Sequence, residues 1–165
     1  MKRLEWFERQ FTFGLLPEML PFYVERLEGT IVRLQQKIKN RNDQLLSEKF
    51  NGKWSVKQNI GHLMEVDEIS TKRIDEMLTG RKVLSSAVFE PQDYNPWPIE
   101  KVLASFERIR RTNVMVYQRL SEKELTRASL HPRLNVSMTP VDLAWFDAEH
   151  DDHHLMKIND ILNRK

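Results

Sequence analysis

Two histidines four residues apart, His150 and His154, are the strongest candidates for chemistry in this sequence. Four residues make about one helical turn, so on a helix both imidazoles point to the same side. That side also carries the apolar residues of the segment, which are Leu143, Phe146, Ile158 and Ile161. Burying an imidazole is costly unless its nitrogens find partners, and a divalent metal is one such partner. The pair alone fits a metal site and ordinary hydrogen-bonded histidines equally well.

Among the five histidines of the chain, His62 is the one that could complete a site with this pair. It lies seven residues after Ser55, in the first turns of a predicted helix and at the edge of its apolar side. Helix bundles build metal sites from side chains on facing helices. Three imidazoles leave a coordination position for water or substrate, which is typical of a catalytic metal. Neutral imidazoles suit zinc, nickel or ferrous iron, and the sequence does not choose among them.

Acidic residues flank the histidine pair in the same segment. Asp147 lies three residues before His150 and is expected either to orient a ligand imidazole or to act as a fourth ligand. Glu149 and Asp151 lie nearer the flanks of the predicted helix and are expected to face solvent.

The two remaining histidines are weaker candidates. His153 lies toward the margin of the inward side, so we expect it at the surface or beside a ligand. His131 precedes Pro132 in a predicted loop. We therefore expect His131 to be solvated, and the alternative is that it lines the mouth of the site.

Four long segments with helical periodicity must position these residues, and none of the chain shows sustained two-residue alternation. The predicted helices run from Pro17 or Pro21 to Asn40, from a capping box at Ser55 to Gly80, from Ile99 to Leu120, and from a capping box at Thr139 to about Leu162. Loops of roughly 15 to 20 residues connect them. The pattern predicts an all-α fold, an antiparallel four-helix bundle with long loops. The short polar piece 121–127 is either a last turn of the third helix or a small extra helix, and a short hairpin in a loop is compatible with the fold.

The first 16 residues are rich in aromatic side chains, namely Trp6, Phe7, Phe11 and Phe13. They predict an N-terminal arm packed over the bundle, and the alternative is a dimer or ligand contact.

Composition limits the classes of function. With 165 residues and 40% hydrophobic residues, the chain is expected to form a single domain, 1–165, with a real core. The net charge of +2 gives no reason to expect nucleic acid or a membrane as partner. Because there is no cysteine, disulfides, thiolate metal sites and a cysteine nucleophile are excluded. The charged N-terminus does not read as a signal peptide, so a soluble cytoplasmic protein is expected.

The segment 52–63, which contains His62, and the segment 148–154 together resemble the DinB-like superfamily of bacterial damage-inducible-type proteins. This superfamily includes bacillithiol and mycothiol transferases and maleylpyruvate isomerase-like members. The resemblance covers nearly the whole chain, including the early segment 6–8. It implies a four-helix bundle, frequently a homodimer, whose divalent metal ion is held by His62, His150 and His154.

Two functions follow as hypotheses. The first is a metal-dependent transferase or hydrolase acting on a small-molecule substrate, for example a low-molecular-weight thiol. In that version the metal stabilises the thiolate as a nucleophile, and hydrolysis by metal-bound water fits equally well. The second is a non-enzymatic, stress-associated protein that binds a metal or senses a ligand. A ligand-sized cavity beside an open coordination position would favour the enzyme.

Overall fold

Four long helices form a four-helix bundle, which confirms the all-α bundle predicted from periodicity. The computed structural model describes residues 3–89 and 92–164. The helices are α1 (Leu20–Ile38), α2 (Asp43–Ser47), α3 (Val56–Leu78), α4 (Ile99–Gln118), α5 (Glu122–Leu125) and α6 (Pro140–Leu162). Short 3₁₀ turns cover Trp6–Glu8 and Pro17–Met19, and the strands β1 (Ser129–Leu130) and β2 (Ser137–Met138) form an antiparallel hairpin. In these two ranges, no helix is long and apolar enough to cross a membrane.

The starts of the two helices that carry the histidines are encoded locally. Ser55 Oγ accepts a hydrogen bond from the Gln58 backbone N–H, and Gln58 Oε1 accepts one from the Ser55 N–H. Thr139 and Asp142 form the same reciprocal pair at the start of α6. These boxes satisfy backbone donors that the first helical turn leaves unpaired, so the helices begin where the sequence predicts. Of the two alternatives for 121–127, the structure has the small extra helix, α5, whereas α2 was not predicted.

Contacts along the helices show that α1 and α6 run in one direction and α3 and α4 in the other. Side chains that meet are Arg26 with Glu149 and Lys37 with Asn159 between α1 and α6, Asn59 with His154 and Ser70 with Asp147 between α3 and α6, and Asp67 with Arg110 and Thr71 with Asn113 between α3 and α4. Residue numbers therefore rise together across two of these interfaces and in opposite senses across the α3–α6 interface.

The neighbours around the bundle are α1, α4, α3 and α6, in that order. Antiparallel packing thus holds for α1 with α4 and α3 with α6, while α3 with α4 and α6 with α1 are parallel. Parallel neighbours need a connection that runs back along the bundle. About 20 residues separate the end of α3 from the start of α4, which is enough for an extended chain to span a helix of roughly 34 Å. The parallel arrangement of α3 and α4 thus explains why the loop between them, one of the long loops predicted from the sequence, is long.

A buried ion cluster lies between two apolar clusters that fill the two ends of the bundle. Arg110, 1% exposed, pairs with Asp67 from α3 and Asp151 from α6. The expectation that Asp151 faces solvent is therefore wrong, because the parallel packing of α1 and α6 turns its flank of α6 inward. Glu149 is half-buried and pairs with Arg9 and Arg26 instead of facing free solvent.

The N-terminal arm packs on α6, as the sequence predicts. The backbone N–H groups of Gly14 and Leu15 donate to Asp142 Oδ1 at 2.8 and 2.9 Å. Farther out on the arm, the ring of Trp6 lies 5.0 Å from the ring of Phe146. The arm therefore reaches the part of α6 that carries the histidines.

Candidate metal centre

The structure brings the three predicted histidines together. His62 lies in the second turn of α3, while His150 and His154 lie one turn apart in the middle of α6. One ring nitrogen from each lies within 4.8 Å of the other two. The Nε2 atoms of His150 and His154 are 3.2 Å apart, and the His62 ring centroid is 5.2 Å and 4.9 Å from their rings. Such a spacing allows three nitrogens to face one ion.

The chemistry of these donors fits a divalent metal. Burial lowers the pKa of His62 to about 4 and holds the pKa values of His150 and His154 well below the ordinary value. All three imidazoles are therefore neutral near pH 7, the state in which imidazole coordinates a metal. In the described part of the chain, Nδ1 of His62 and Nδ1 of His150 are buried without a hydrogen-bond partner. Buried nitrogens without a protein partner are uncommon in folded proteins, and an ion or water bound at the cluster is one explanation for them.

Asn59 is a residue of the site that sequence reasoning missed. Its Oδ1 lies 2.8 Å from His154 Nδ1 across the α3–α6 interface. Side chains that orient a ligand imidazole through its second nitrogen are a regular part of metal sites. The available signal was its position three residues before His62, which places it on the same side of α3.

Asp147 lies near the triad without belonging to it. Its Oδ2 accepts from Ser70 Oγ at 2.5 Å and lies 3.4 Å from the Tyr117 hydroxyl. The described cluster that could hold an ion consists of the three histidines, so neither predicted role for Asp147, as fourth ligand or as imidazole partner, is seen. Burial raises the pKa of Asp147 to about 7.

The triad opens into a cavity of about 1150 Å³. Aromatic side chains form much of its wall, and these are Trp6, Phe7, Phe11, Trp54, Phe89 and Phe146. The Trp54 and Phe89 rings lie 4.9 and 4.6 Å from the His62 ring, so they cover the metal end. A volume of this size suits a small organic ligand.

The two weaker histidine candidates also line this cavity. His131 is only 5% exposed, so the expectation of a solvated loop residue is wrong and the alternative, a place on the cavity wall, is what the structure shows. His153 is half-buried, and its ring lies 5.7 Å from the Trp6 ring. It flanks the triad, in keeping with a place at the margin of the inward side.

Comparison with known proteins agrees with the fold. The solved structure of YfiT from Bacillus subtilis, described as a probable metal-dependent hydrolase with an unusual four-helix bundle topology, superposes with a TM-score of 0.80 at 19% identity. The match covers 93% of this chain and 91% of YfiT, and at this identity it speaks for the fold alone. A search of curated protein sequences finds no match. The family model described as the DinB superfamily matches residues 26–158, which include all three histidines. The chain is therefore a member of the DinB superfamily.

Proposed function

We propose that the protein is a divalent-metal-dependent enzyme whose metal is held by His62, His150 and His154 and whose substrate is a small molecule bound in the adjoining cavity. One observation carries the proposal: three neutral, buried imidazoles converge on the wall of a ligand-sized cavity with no fourth protein ligand in their described cluster. A structural metal is usually enclosed by four protein ligands, whereas three ligands and an open side suit catalysis.

When bound, a divalent metal supplies a Lewis acid that favours the deprotonated form of water or of a thiol near pH 7. The chain's own residues supply position and proton transfer. Asn59 orients the His154 ring, and the Trp54 and Phe89 rings restrict water at the His62 end. Asp147 is the candidate general base, because it lines the cavity and its raised pKa of about 7 suits proton exchange at neutral pH. Ser70 donates to Oδ2, which leaves Oδ1 without a described hydrogen bond and available to accept a proton.

The nucleophile is either water, giving hydrolysis, or a low-molecular-weight thiol, giving a thiol S-transferase. The description of YfiT as a probable metal-dependent hydrolase supports the first. The second is compatible with a chain that contains no cysteine of its own. Zinc, nickel and ferrous iron all suit a site of three imidazoles. A homodimer, a single domain over 1–165, a cytoplasmic location and the lack of a nucleic-acid partner stay predictions.

Metal analysis of protein purified without a histidine tag tests the proposal. The wild type and His153→Ala should carry one equivalent of divalent metal, and His62→Ala and His154→Ala should lose it to a similar degree. His153→Ala is the matched control, because it removes an imidazole from the same cavity wall without touching the triad. In a panel of ester, amide and thiol-transfer substrates, turnover should follow the metal content.

Two outcomes would count against the proposal. Full metal retention in His62→Ala would show that the triad does not hold the ion. Full metal loading in the wild type with no turnover across the panel would favour the alternative, a non-enzymatic protein that binds a metal or senses a ligand.

A further inference from the structure

We propose that the cavity contains an anion-binding site at Arg73 and His131, which takes the carboxylate or phosphate group of the substrate. The statement about a substrate rests on the proposed function, whereas the anion site itself needs no metal. The three histidines do not by themselves require a charged substrate. An anion site therefore narrows the substrate to small molecules that carry a carboxylate or a phosphate group.

Arg73 is a buried cation with unused donors. The side chain is 6% exposed and lines the cavity. Its Nη2 donates to the Ser85 carbonyl at 3.2 Å, and its Nε is buried without a partner in the described part of the chain. A guanidinium has five N–H donors in a fork that matches a carboxylate or a phosphate. A buried charge without a counter-ion is costly, so the geometry calls for an anion.

The acidic side chains that act on the charge of Arg73 do not serve as its paired counter-ion. Glu76 and Asp147 both act on its charge from a distance. Glu76 is already engaged, since it accepts from the Ser85 backbone N–H at 2.8 Å and from Arg81 Nη1 at 3.1 Å. Asp147, with its pKa raised to about 7, carries a proton for much of the time near pH 7. Neither carboxylate forms an ion pair with Arg73 in the described part of the chain, and Arg73 Nε has no partner there, so the guanidinium can still take an anionic ligand.

His131 adds a neutral donor beside this charge. The backbone N–H groups of Arg133 and Leu134 donate to its Nδ1 at 3.3 and 3.1 Å. Nδ1 is therefore the unprotonated nitrogen, and the ring proton sits on Nε2. Burial, together with the charges of Arg73 and Arg133, lowers the pKa of His131 to about 4, so the ring is neutral near pH 7. No hydrogen bond within the described chain occupies the Nε2–H group, which leaves it as a donor for a ligand in the cavity that His131 lines.

The distance between this site and the triad sets the shape of the ligand. Arg73 follows His62 by eleven residues on α3, which is about 16 Å along the helix axis. Val66 and Ile69 line the wall between them. We therefore expect a substrate with an anionic group at one end, an apolar or aromatic body, and its reactive atom several bonds away from the anion.

The charge of the whole cavity wall points the same way. Its basic residues are Arg9, Lys53, Arg73, Arg133, Lys157 and Arg164, and its acidic residues are Glu5 and Asp147. Such an excess of one sign attracts ligands of the other sign. The electrostatic potential of these residues does not by itself define a binding site, however. The buried guanidinium of Arg73 is the group that places the anion.

Calorimetric titration of metal-free protein tests the site with three probes of the same body: phenylacetate, benzylphosphonate and the uncharged phenylacetamide. We expect at least one anion to bind about tenfold or more tightly than the amide, and the tighter of the two anions identifies the group. Arg73→Gln should weaken that binding about tenfold to a hundredfold. Arg73→Lys, which keeps the charge and loses the fork, should give an intermediate loss.

Lys53→Gln is the matched control, because it removes one exposed positive charge from the same cavity and should change anion affinity less than about twofold. Equal losses in Lys53→Gln and Arg73→Gln, or equal affinity for phenylacetamide and both anions, would overturn the proposal. If circular dichroism shows that Arg73→Gln does not fold, His131→Phe serves in its place. This substitution keeps an aromatic ring at the position but removes the Nε2–H donor, and it should weaken anion binding at least threefold.

The same preparations separate this inference from the proposed function. Metal titration measures the triad independently of the anion probes. Intact metal binding and turnover without anion selectivity would refute the anion site alone. Selective anion binding in a protein that takes up no metal would refute the metal-dependent function alone.

Discussion

Asn59 on α3 holds the imidazole of His154 on α6, with 2.8 Å between Oδ1 and Nδ1. The orientation of the carboxamide is set from its other side, because Nδ2 donates to the Ser55 carbonyl at 2.7 Å. Oδ1 must then accept, so the ring proton of His154 sits on Nδ1 and the lone pair sits on Nε2. That lone pair faces Nε2 of His150 at 3.2 Å. A residue at the start of α3 thus selects the tautomer that can bind a metal.

Replacing Asn59 by alanine should therefore weaken divalent-metal binding about tenfold to a hundredfold, as for other partners of ligand imidazoles. Asn59→Asp keeps the acceptor and should retain most of the affinity. Competition with a chromophoric chelator measures both. Asn159→Ala is the matched control, since Asn159 lies on α6, contacts Lys37, and has no described contact with the triad. Unchanged affinity in Asn59→Ala would rule out the orienting role.

Metal affinity should be nearly constant between about pH 8 and pH 6 and should fall steeply only as the pH approaches 4. A proton competes with the metal only below the pKa of the free imidazole, and burial lowers the pKa of His62 to about 4. An exposed histidine site would begin to lose affinity near pH 6.5. Chelator competition across this range checks the profile. A tenfold loss between pH 7 and pH 6 would contradict it.

The lowered pKa of His62 also makes the stability of the metal-free protein depend on pH. In the window from about pH 6.5 down to about pH 4, the unfolded chain binds a proton at His62 before the folded chain does. The contribution of His62 to stability is therefore present above that window and is lost as the pH falls through it. The difference in free energy of unfolding between wild type and His62→Gln should shrink across this range in denaturant titrations, and a constant difference would contradict the shift.

Gly61→Ala should destabilise the protein by about 1–3 kcal/mol, because a Cβ at this position overlaps the ring of Tyr94. The ring cannot move freely, since it is buried and its hydroxyl donates to Glu65 Oε1 at 2.9 Å. Urea denaturation measures the loss. Adding Tyr94→Leu to Gly61→Ala should cost less than the sum of the two single changes, because the smaller side chain removes the clash. Full additivity would show that the overlap is relieved in another way.

Arg110→Met should lower the free energy of unfolding by about 3–5 kcal/mol, because it leaves the buried carboxylates of Asp67 and Asp151 without their common partner. The matched control is the next residue, Arg111, whose side chain is 64% exposed and pairs with Glu107 one turn away. Arg111→Met should cost about 0.5 kcal/mol or less. Similar losses for the two variants in urea denaturation would show that the buried cluster adds no special stability.

The features that the sequence determined by itself are local ones. The capping boxes at Ser55 and Thr139 involve residues within one turn, so the place where each helix begins does not depend on which elements pack against it. The four-residue step from His150 to His154 likewise places both rings on one side of any helix. The third histidine, His62, was proposed as a ligand because it lies at the edge of the apolar side of its helix and because the sequence resembles a known family. The structure places it beside the pair.

Only the tertiary structure decided which helix sides face each other. The parallel pairs α3 with α4 and α1 with α6 place Arg110 between Asp67 and Asp151, and Asp151 lies on a flank of α6 that periodicity alone assigned to solvent. It also decided that His131, in the segment after α5, joins Arg73 on the cavity wall. Periodicity along one helix says which side is apolar, but a polar residue at the edge of that side is buried or solvated according to its neighbour. That neighbour is chosen by the packing of the whole bundle.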